Sequence, residues 1–278
     1  MVTSRVKLLI CGQGYLGKEI AKQANEKKAK VFGATLNGFD GCLACDLGDE
    51  PSVAALRESV GTCDAVIHCA SSGRGGADAY ERVYLGGMRH LVKFFPEAKL
   101  LFTSSTSVYG QTDGSWVTEE SAAVPDRQTG KFLLAAENAT LEVGGIVCRL
   151  SGIYGPGRSV ILKKFLLNEA VIEEDGRRFL NQIHRNDAAA AVLHLIETQQ
   201  IGVFNVSDDK PTSQLATYQG LARIFGKPLP PVGERDLERK RGWTHKQVSN
   251  QKIRSTGWSP CYGSFLDAAV SLTLSAVM

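Results

Sequence analysis

Apolar residues along the chain follow two alternating rhythms. Short runs of strand length, beginning with Val6-Lys-Leu-Leu-Ile-Cys11, alternate with longer stretches in which apolar residues return every three or four positions, as do Leu16, Ile20 and Ala24. Runs of the first kind suit strands buried on both faces, and stretches of the second lay one stripe of a helix against a core. Over the first half this predicts strands near 6–11, 30–35, 42–45, 64–69, 99–104 and 145–150, with helices near 15–27, 51–60, 77–95 and 129–143 between most of them. Such alternation argues an α/β architecture, a doubly wound parallel sheet covered on both faces. Right-handed crossovers then gather the loops after each strand at one sheet edge. Gly12–Gly17, Asp46, Ala70–Ser72, Ser104–Gly110 and Ser151–Arg158 are therefore expected to converge on one cleft. After Gly155-Pro156-Gly157 the pattern loosens into helices near 160–169, 186–198, 214–226 and 264–276. The division expected is a sheet domain over 1–155 and a smaller C-terminal lobe over 156–278, interleaved with the first and closing the cleft.

The first strand breaks into Gly12-x-Gly14-x-x-Gly17 and then a helix. In a strand–turn–helix setting the first glycine permits the tight turn, the second lets the backbone approach a pyrophosphate, and the third lets the helix pack on the strand. The amides of the new helix then face the anion. Gly12, Gly14, Tyr15, Leu16 and Gly17 are accordingly expected to hold a dinucleotide, against the alternative of a purely structural turn.

The 278 residues carry 43% hydrophobic and 22% charged side chains with a formal charge of +3, too weak a field to argue for nucleic acid or a membrane surface. No stretch reaches the ~18 apolar residues of a membrane span and no signal-peptide pattern precedes the first strand, so a cytoplasmic protein is expected. The seven cysteines are scattered and mostly sit in apolar runs, which reads as reduced, buried thiols. Cys42-x-x-Cys45 has half the spacing of a zinc site, but no second pair follows, and no metal is expected.

Ser104-Ser105-Thr106-Ser107-Val108-Tyr109-Gly110 follows one strand, and Arg149-Leu-Ser-Gly-Ile-Tyr154-Gly-Pro-Gly157 follows another. With the glycine loop, Phe179–Asp187 and Gly202–Val206, these segments resemble the extended short-chain dehydrogenase/reductase family, the nucleotide-sugar epimerases and dehydratases, over almost the whole chain. The resemblance implies a Rossmann fold holding NAD or NADP, with a hydroxyl that hydrogen-bonds the reacting carbonyl or alcohol; Ser105 occupies that position. It also implies an adenine contact at Asp46, which alternatively caps a helix, a loop beside the nicotinamide ribose at Ala70 and Ser71, and a homodimer through the helices near 77–95 and 129–143.

Family members carry a Tyr and, four residues later, a Lys on the helix after the serine motif. Here Thr129 and Leu133 stand in those places. Lys131 is no substitute, because two residues along a helix turn a side chain about 200° away. Candidate replacements are Tyr84, Tyr80, Tyr109 and His184, the last with a side chain whose ordinary pKa suits proton transfer. Tyr84 stands where many relatives carry Asn. Tyr80 and Tyr84 also fit a packing stripe, Tyr109 a structural role, and His184 a loop contact.

An acidic residue at the end of the second strand would accept ribose hydroxyls and select NAD. Thr35 stands there instead, with no Arg beside it, so the reading is NAD(P) with a slight lean to NADP. Arg158 is the candidate contact for an anionic group on a small-molecule substrate. The function expected is an NAD(P)-dependent epimerase/dehydratase or reductase working on a hydroxyl or carbonyl carbon of a sugar-like or nucleotide-sugar metabolite. The alternative is an NAD(P)-binding sensor or scaffold without turnover.

Overall fold

The computed structural model describes residues 6–73, 75–235 and 243–276. Its centre is a seven-stranded sheet of β1 (Lys7–Cys11), β2 (Lys30–Thr35), β3 (Leu43–Ala44), β4 (Ala65–His68), β5 (Lys99–Ser105), β6 (Ile146–Leu150) and β7 (Gly202–Val206), in the order β7-β6-β5-β4-β1-β2-β3. Pairing of β1 with β2 and β4, of β4 with β5 and of β2 with β3 is parallel, with Ile10 opposite Gly33 and Ile67. The order reverses direction at β1, so the loops after β1 and β4 open side by side at the C-terminal sheet edge. The α/β doubly wound sheet expected from the sequence is the one observed.

The chain forms two compact units. One comprises Met1–Val108, Ala123–Arg149 and Ala189–Phe204; the other comprises Tyr109–Ala122, Leu150–Ala188 and Asn205–Met278. In the first unit every residue of β4 and β6 is buried, as expected of strands sandwiched between helices. Around the sheet lie α1 (Tyr15–Glu26), α2 (Glu50–Val60), α3 (77–94) and α4 (Gln128–Glu142). The stretch read as one helix near 77–95 is α3, built in three pieces: Ala77–Tyr80, a π-helical turn over Glu81–Gly86, and Gly87–Phe94.

The second unit carries α5 (Val160–Leu166), α7 (Gln214–Phe225), α8 (Gln251–Ser255) and α9 (Phe265–Ala276). Between the units in sequence, α6 (Arg185–Glu197) contributes residues to both. Short strand pairs brace the second unit, among them Gly152–Tyr154 beside Gln182–His184 and Trp116–Val117 beside Gln247–Val248. Its core gathers Tyr154, Leu162, Phe165, Tyr218, Leu221 and Phe265. No helix among the described residues is long and apolar enough to cross a membrane.

Candidate active site

The glycine loop is built by contacts that a side chain would break. Gly12 adopts φ 99°, and a Cβ there would stand 2.3 Å from the backbone N and Cα of Ala70. A Cβ on Gly17 would stand 2.2 Å from the Gly12 carbonyl oxygen. These two glycines let the loop after β1, the loop after β4 and the start of α1 close on one another. Gly14 differs. A Cβ on it would meet nothing within 4 Å, and it caps α1 with no side-chain hydrogen bond. Packing within the protein therefore gives no reason for glycine at 14, whereas close approach of a ligand does. The amides of a helix's first turn have no intrahelical acceptors and carry the positive end of its dipole.

Around this cradle the expected contacts fall on neighbouring strand ends. Ser71 Oγ accepts from the Gly73 amide at 3.2 Å. Thr35 is buried, and its hydroxyl accepts from the Gly38 amide at 3.1 Å, closing a turn after β2. Asp46 accepts from the Gly48 amide at 2.9 Å and pairs with Arg82 of α3 at 2.5 Å. It is not the cap of α2; Asp49 is, accepting from the Ser52 amide at 3.0 Å.

Sequence reasoning passed over Lys18 and Asp40. The ammonium of Lys18, directly after Gly17, reaches Asp40 at 2.6 Å and lies over the Phe39 ring, 5.4 Å from its centroid. Asp40 gets there through a left-handed backbone, φ 55°, five residues beyond β2. The signal available in the sequence was the loop Asn37-Gly-Phe-Asp-Gly41, whose length hid how far back it folds.

The serine motif opens at the end of β5. Ser105 is half-buried, and its Oγ accepts from the Ser107 amide at 3.2 Å, leaving the hydroxyl proton for another acceptor. Its neighbour Ser104 is buried and donates to Glu137 of α4 at 2.5 Å. Glu137 in turn receives Arg149 of β6 through Nε and Nη2, the shortest contact being 2.6 Å. Both partners are nearly inaccessible, so loss of either would leave a buried charge and cost about 3–5 kcal/mol. This tie fixes α4 against the strand ends that carry Ser105.

Four aromatic rings line the loop after β4. Tyr84, in the π-helical turn, accepts from the Ser72 amide at 3.4 Å; its ring stacks on His68 at 6.2 Å and meets Tyr80 and Phe102 edge-on at 4.9 and 6.0 Å. The Ser72 hydroxyl, beside it in sequence, has no hydrogen-bond partner among the described residues.

The remaining candidates belong to the second unit. His184 is buried against Tyr154 and Tyr262, with Nδ1 accepting from the Asn186 amide at 3.3 Å. Tyr109 is fully buried, its hydroxyl donating to Asn205 at 2.9 Å. Arg158 is exposed on the turn it closes with Gly155. Trp258 is in the core, and Trp243 is half-buried with Arg235 4.1 Å over its ring. Lys246, unremarked in the sequence, is buried and donates to the Tyr109 carbonyl at 2.9 Å; burial lowers its pKa to about 8.

Of the cysteines, 11, 45, 63 and 148 are buried, 42 and 69 half-buried and 261 exposed. Cys69 donates to the Gly12 carbonyl at 3.2 Å, and burial pushes its thiol up to about 12. Among the described residues no cluster of three or more His, Cys, Asp or Glu could hold a metal.

The sequence profile of the NAD dependent epimerase/dehydratase family matches residues 8–207, which includes the cradle, the π-helical turn and the serine motif. The chain belongs to this family. Protein YeeZ of Escherichia coli is 26% identical over 260 residues, covering 85% of this chain and 89% of its own length. The fold matches ADP-L-glycero-D-manno-heptose-6-epimerase of Helicobacter pylori with a TM-score of 0.82 at 18% identity, over 98% of this chain and 97% of that one. UDP-glucose 4-epimerase of Thermus thermophilus, solved with NAD, matches with a TM-score of 0.79 at 18% identity, over 97% and 98%. The helix that follows the serine motif is α4. Thr129 is half-buried, Leu133 is buried at 6% exposure and Lys131 faces solvent, so no Tyr/Lys pair stands on the inner face of the helix.

Proposed function

We propose that the protein is an NAD(P)-dependent epimerase/dehydratase or reductase acting on a hydroxyl or carbonyl carbon of a sugar-like metabolite. The observation that carries this reading is the open space beside Gly14, at a helix start whose flanking glycines are fixed by contact. The cradle residues suit a pyrophosphate, and the unsatisfied Ser72 hydroxyl suits a polar ligand beside the loop after β4. Gly12, Gly14, Tyr15, Leu16 and Gly17 would hold the phosphates, Ala70 and Ser71 would flank the ribose, and Thr35 and Asp46 would lie toward the adenosine. A bound nicotinamide supplies hydride transfer to or from carbon.

Ser105 orients the reacting oxygen, since its hydroxyl keeps a proton to donate after accepting from Ser107. Tyr84 moves the proton. It is the candidate tyrosine in the first unit with a half-buried position and a hydroxyl that accepts from a backbone amide, which holds its own proton outward. His184 is a second, weaker assignment, because its imidazole is packed between two tyrosines. Arg158 meets an anionic substituent of the substrate. The uncharged end of β2 favours NADP.

Gly14→Ala tests the reading. Its φ of −80° suits any residue and the new methyl meets nothing, so the melting temperature should stay as in the wild type while NADPH and NADH affinity falls at least about tenfold, ~1.4 kcal/mol. Gly12→Ala should lose both stability and binding. Unchanged dinucleotide affinity in Gly14→Ala would overturn the assignment. One observation favours the second reading, a dinucleotide-binding sensor or scaffold: the buried Leu133 where the family places Lys. Dinucleotide binding without absorbance change at the nicotinamide band across a broad panel of carbonyl compounds would establish it.

A further inference from the structure

The π-helical turn of α3 is held by a side chain from the sheet. At this turn the Gly87 amide donates to the carbonyls of Arg82 and Tyr84 and bypasses Val83, the residue four positions back that an α-helix would use. The Val83 carbonyl accepts instead from His68 of β4, Nε2 to oxygen 2.9 Å. A carbonyl only accepts, so Nε2 carries the imidazole proton. Room for this bond comes from the helix sequence itself: a Cβ on Gly87 would stand 3.1 Å from His68 Nε2. The same imidazole stacks on the Tyr84 ring with 21° between the planes, and Phe102 meets the imidazole edge-on at 5.3 Å while also meeting the Tyr84 ring at 6.0 Å.

We infer that His68 is the positioning residue for Tyr84, holding the widened turn open through the Val83 carbonyl and the phenol ring by stacking, so that the Tyr84 hydroxyl stays on the Ser72 amide. The inference rests on the proposed acid/base role of Tyr84 for its meaning in catalysis, but its geometry stands without that role. Without the histidine the Val83 carbonyl would lose this partner, and α3 would regain one by returning to α-helical spacing. That return removes one residue from the turn and rotates Tyr84 by about 100° relative to the first part of the helix. A neutral imidazole suits this positioning role, and burial keeps it neutral by lowering its pKa to about 4.

The test uses the full-length protein labelled with 13Cζ-tyrosine and 15N, read by NMR with and without NADPH. His68→Phe keeps a stacking ring and removes the donor; it should move the Tyr84 13Cζ and Ser72 amide resonances, and His68→Gln, which restores an N–H, should return them toward wild type. Gly87→Ala presses on the same bond from the helix side and should move the same two signals, which keeps the inference testable if His68→Phe does not fold. Where the panel yields a turned-over carbonyl, His68→Phe should lower kcat at least about tenfold and leave KM within about twofold. Wild-type Tyr84 and Ser72 resonances in both His68→Phe and Gly87→Ala would overturn the inference. Undiminished turnover in Tyr84→Phe would instead remove the acid/base assignment and leave the positioning result to stand.

Discussion

Burial of His68 has a measurable cost at low pH. In the folded protein its imidazole is held neutral, with its pKa lowered to about 4, whereas in the unfolded chain it titrates near its ordinary 6.5. As pH falls through 6.5 the unfolded state takes up a proton that the folded state refuses, so stability drops until both are protonated below 4. Between pH 7 and 4 this amounts to about 3 kcal/mol. Asp208, whose carboxyl burial raises well above the usual range, acts in the opposite direction, so the comparison is with His68→Gln. Chemical denaturation of the two proteins should show wild type losing about 3 kcal/mol more than His68→Gln over that range. A pH-independent difference would mean that the imidazole charges without unfolding. At this scale Gly12 and Gly17 were legible because a glycine at a strand-to-helix turn has few other reasons to be there. His68 was not, since a histidine in an apolar run reads as a strand residue until the carbonyl it serves is placed fifteen residues away.

The elements of the sheet followed from hydrophobic rhythm, and the departures have local causes. The run at 42–45 shortens to Leu43–Ala44 at the sheet margin, where one neighbour fixes it. The helix near 77–95 was expected unbroken, because adding one residue to a turn shifts the apolar stripe too little to register in periodicity. Strand β7 was quoted only as a motif, and the short pairs of the second unit lie below the length at which alternation can be counted. The loop after β2 carries a prediction of its own. There Lys18 and Asp40 neutralise each other across an exposed rim, a pair worth at most about 1 kcal/mol. Asp40→Ala should free the ammonium and raise the ratio of NADPH to NADH affinity about three- to fivefold, measured by fluorescence titration. Screening should erase the gain at about 1 M salt. An unchanged ratio would place the adenosine end away from this loop.

For the whole molecule, the first compact unit is assembled from three separate stretches of sequence, the last beginning at Ala189. The expected division near 155, with the later lobe interleaved with the sheet domain, did not say which later stretch rejoins the sheet. Pattern alone carries no record that Ala189–Phe204 returns to the sheet, since the contact is made with residues more than fifty positions earlier: the Gly202 amide donates to the Gly145 carbonyl at 3.0 Å. That return seals the flank of β6, whose five residues are all buried. A chain truncated before Gly202 should therefore aggregate rather than fold as a stable N-terminal fragment, as light scattering on expression of residues 1–200 would show. A soluble, cooperatively melting fragment would refute this. During biosynthesis the same dependence sets a waiting time. At 5–20 residues per second the ribosome needs roughly 3–10 s to travel from Leu150 to Val206, and throughout it the nascent sheet presents a bare hydrophobic edge that a chaperone is well placed to shield.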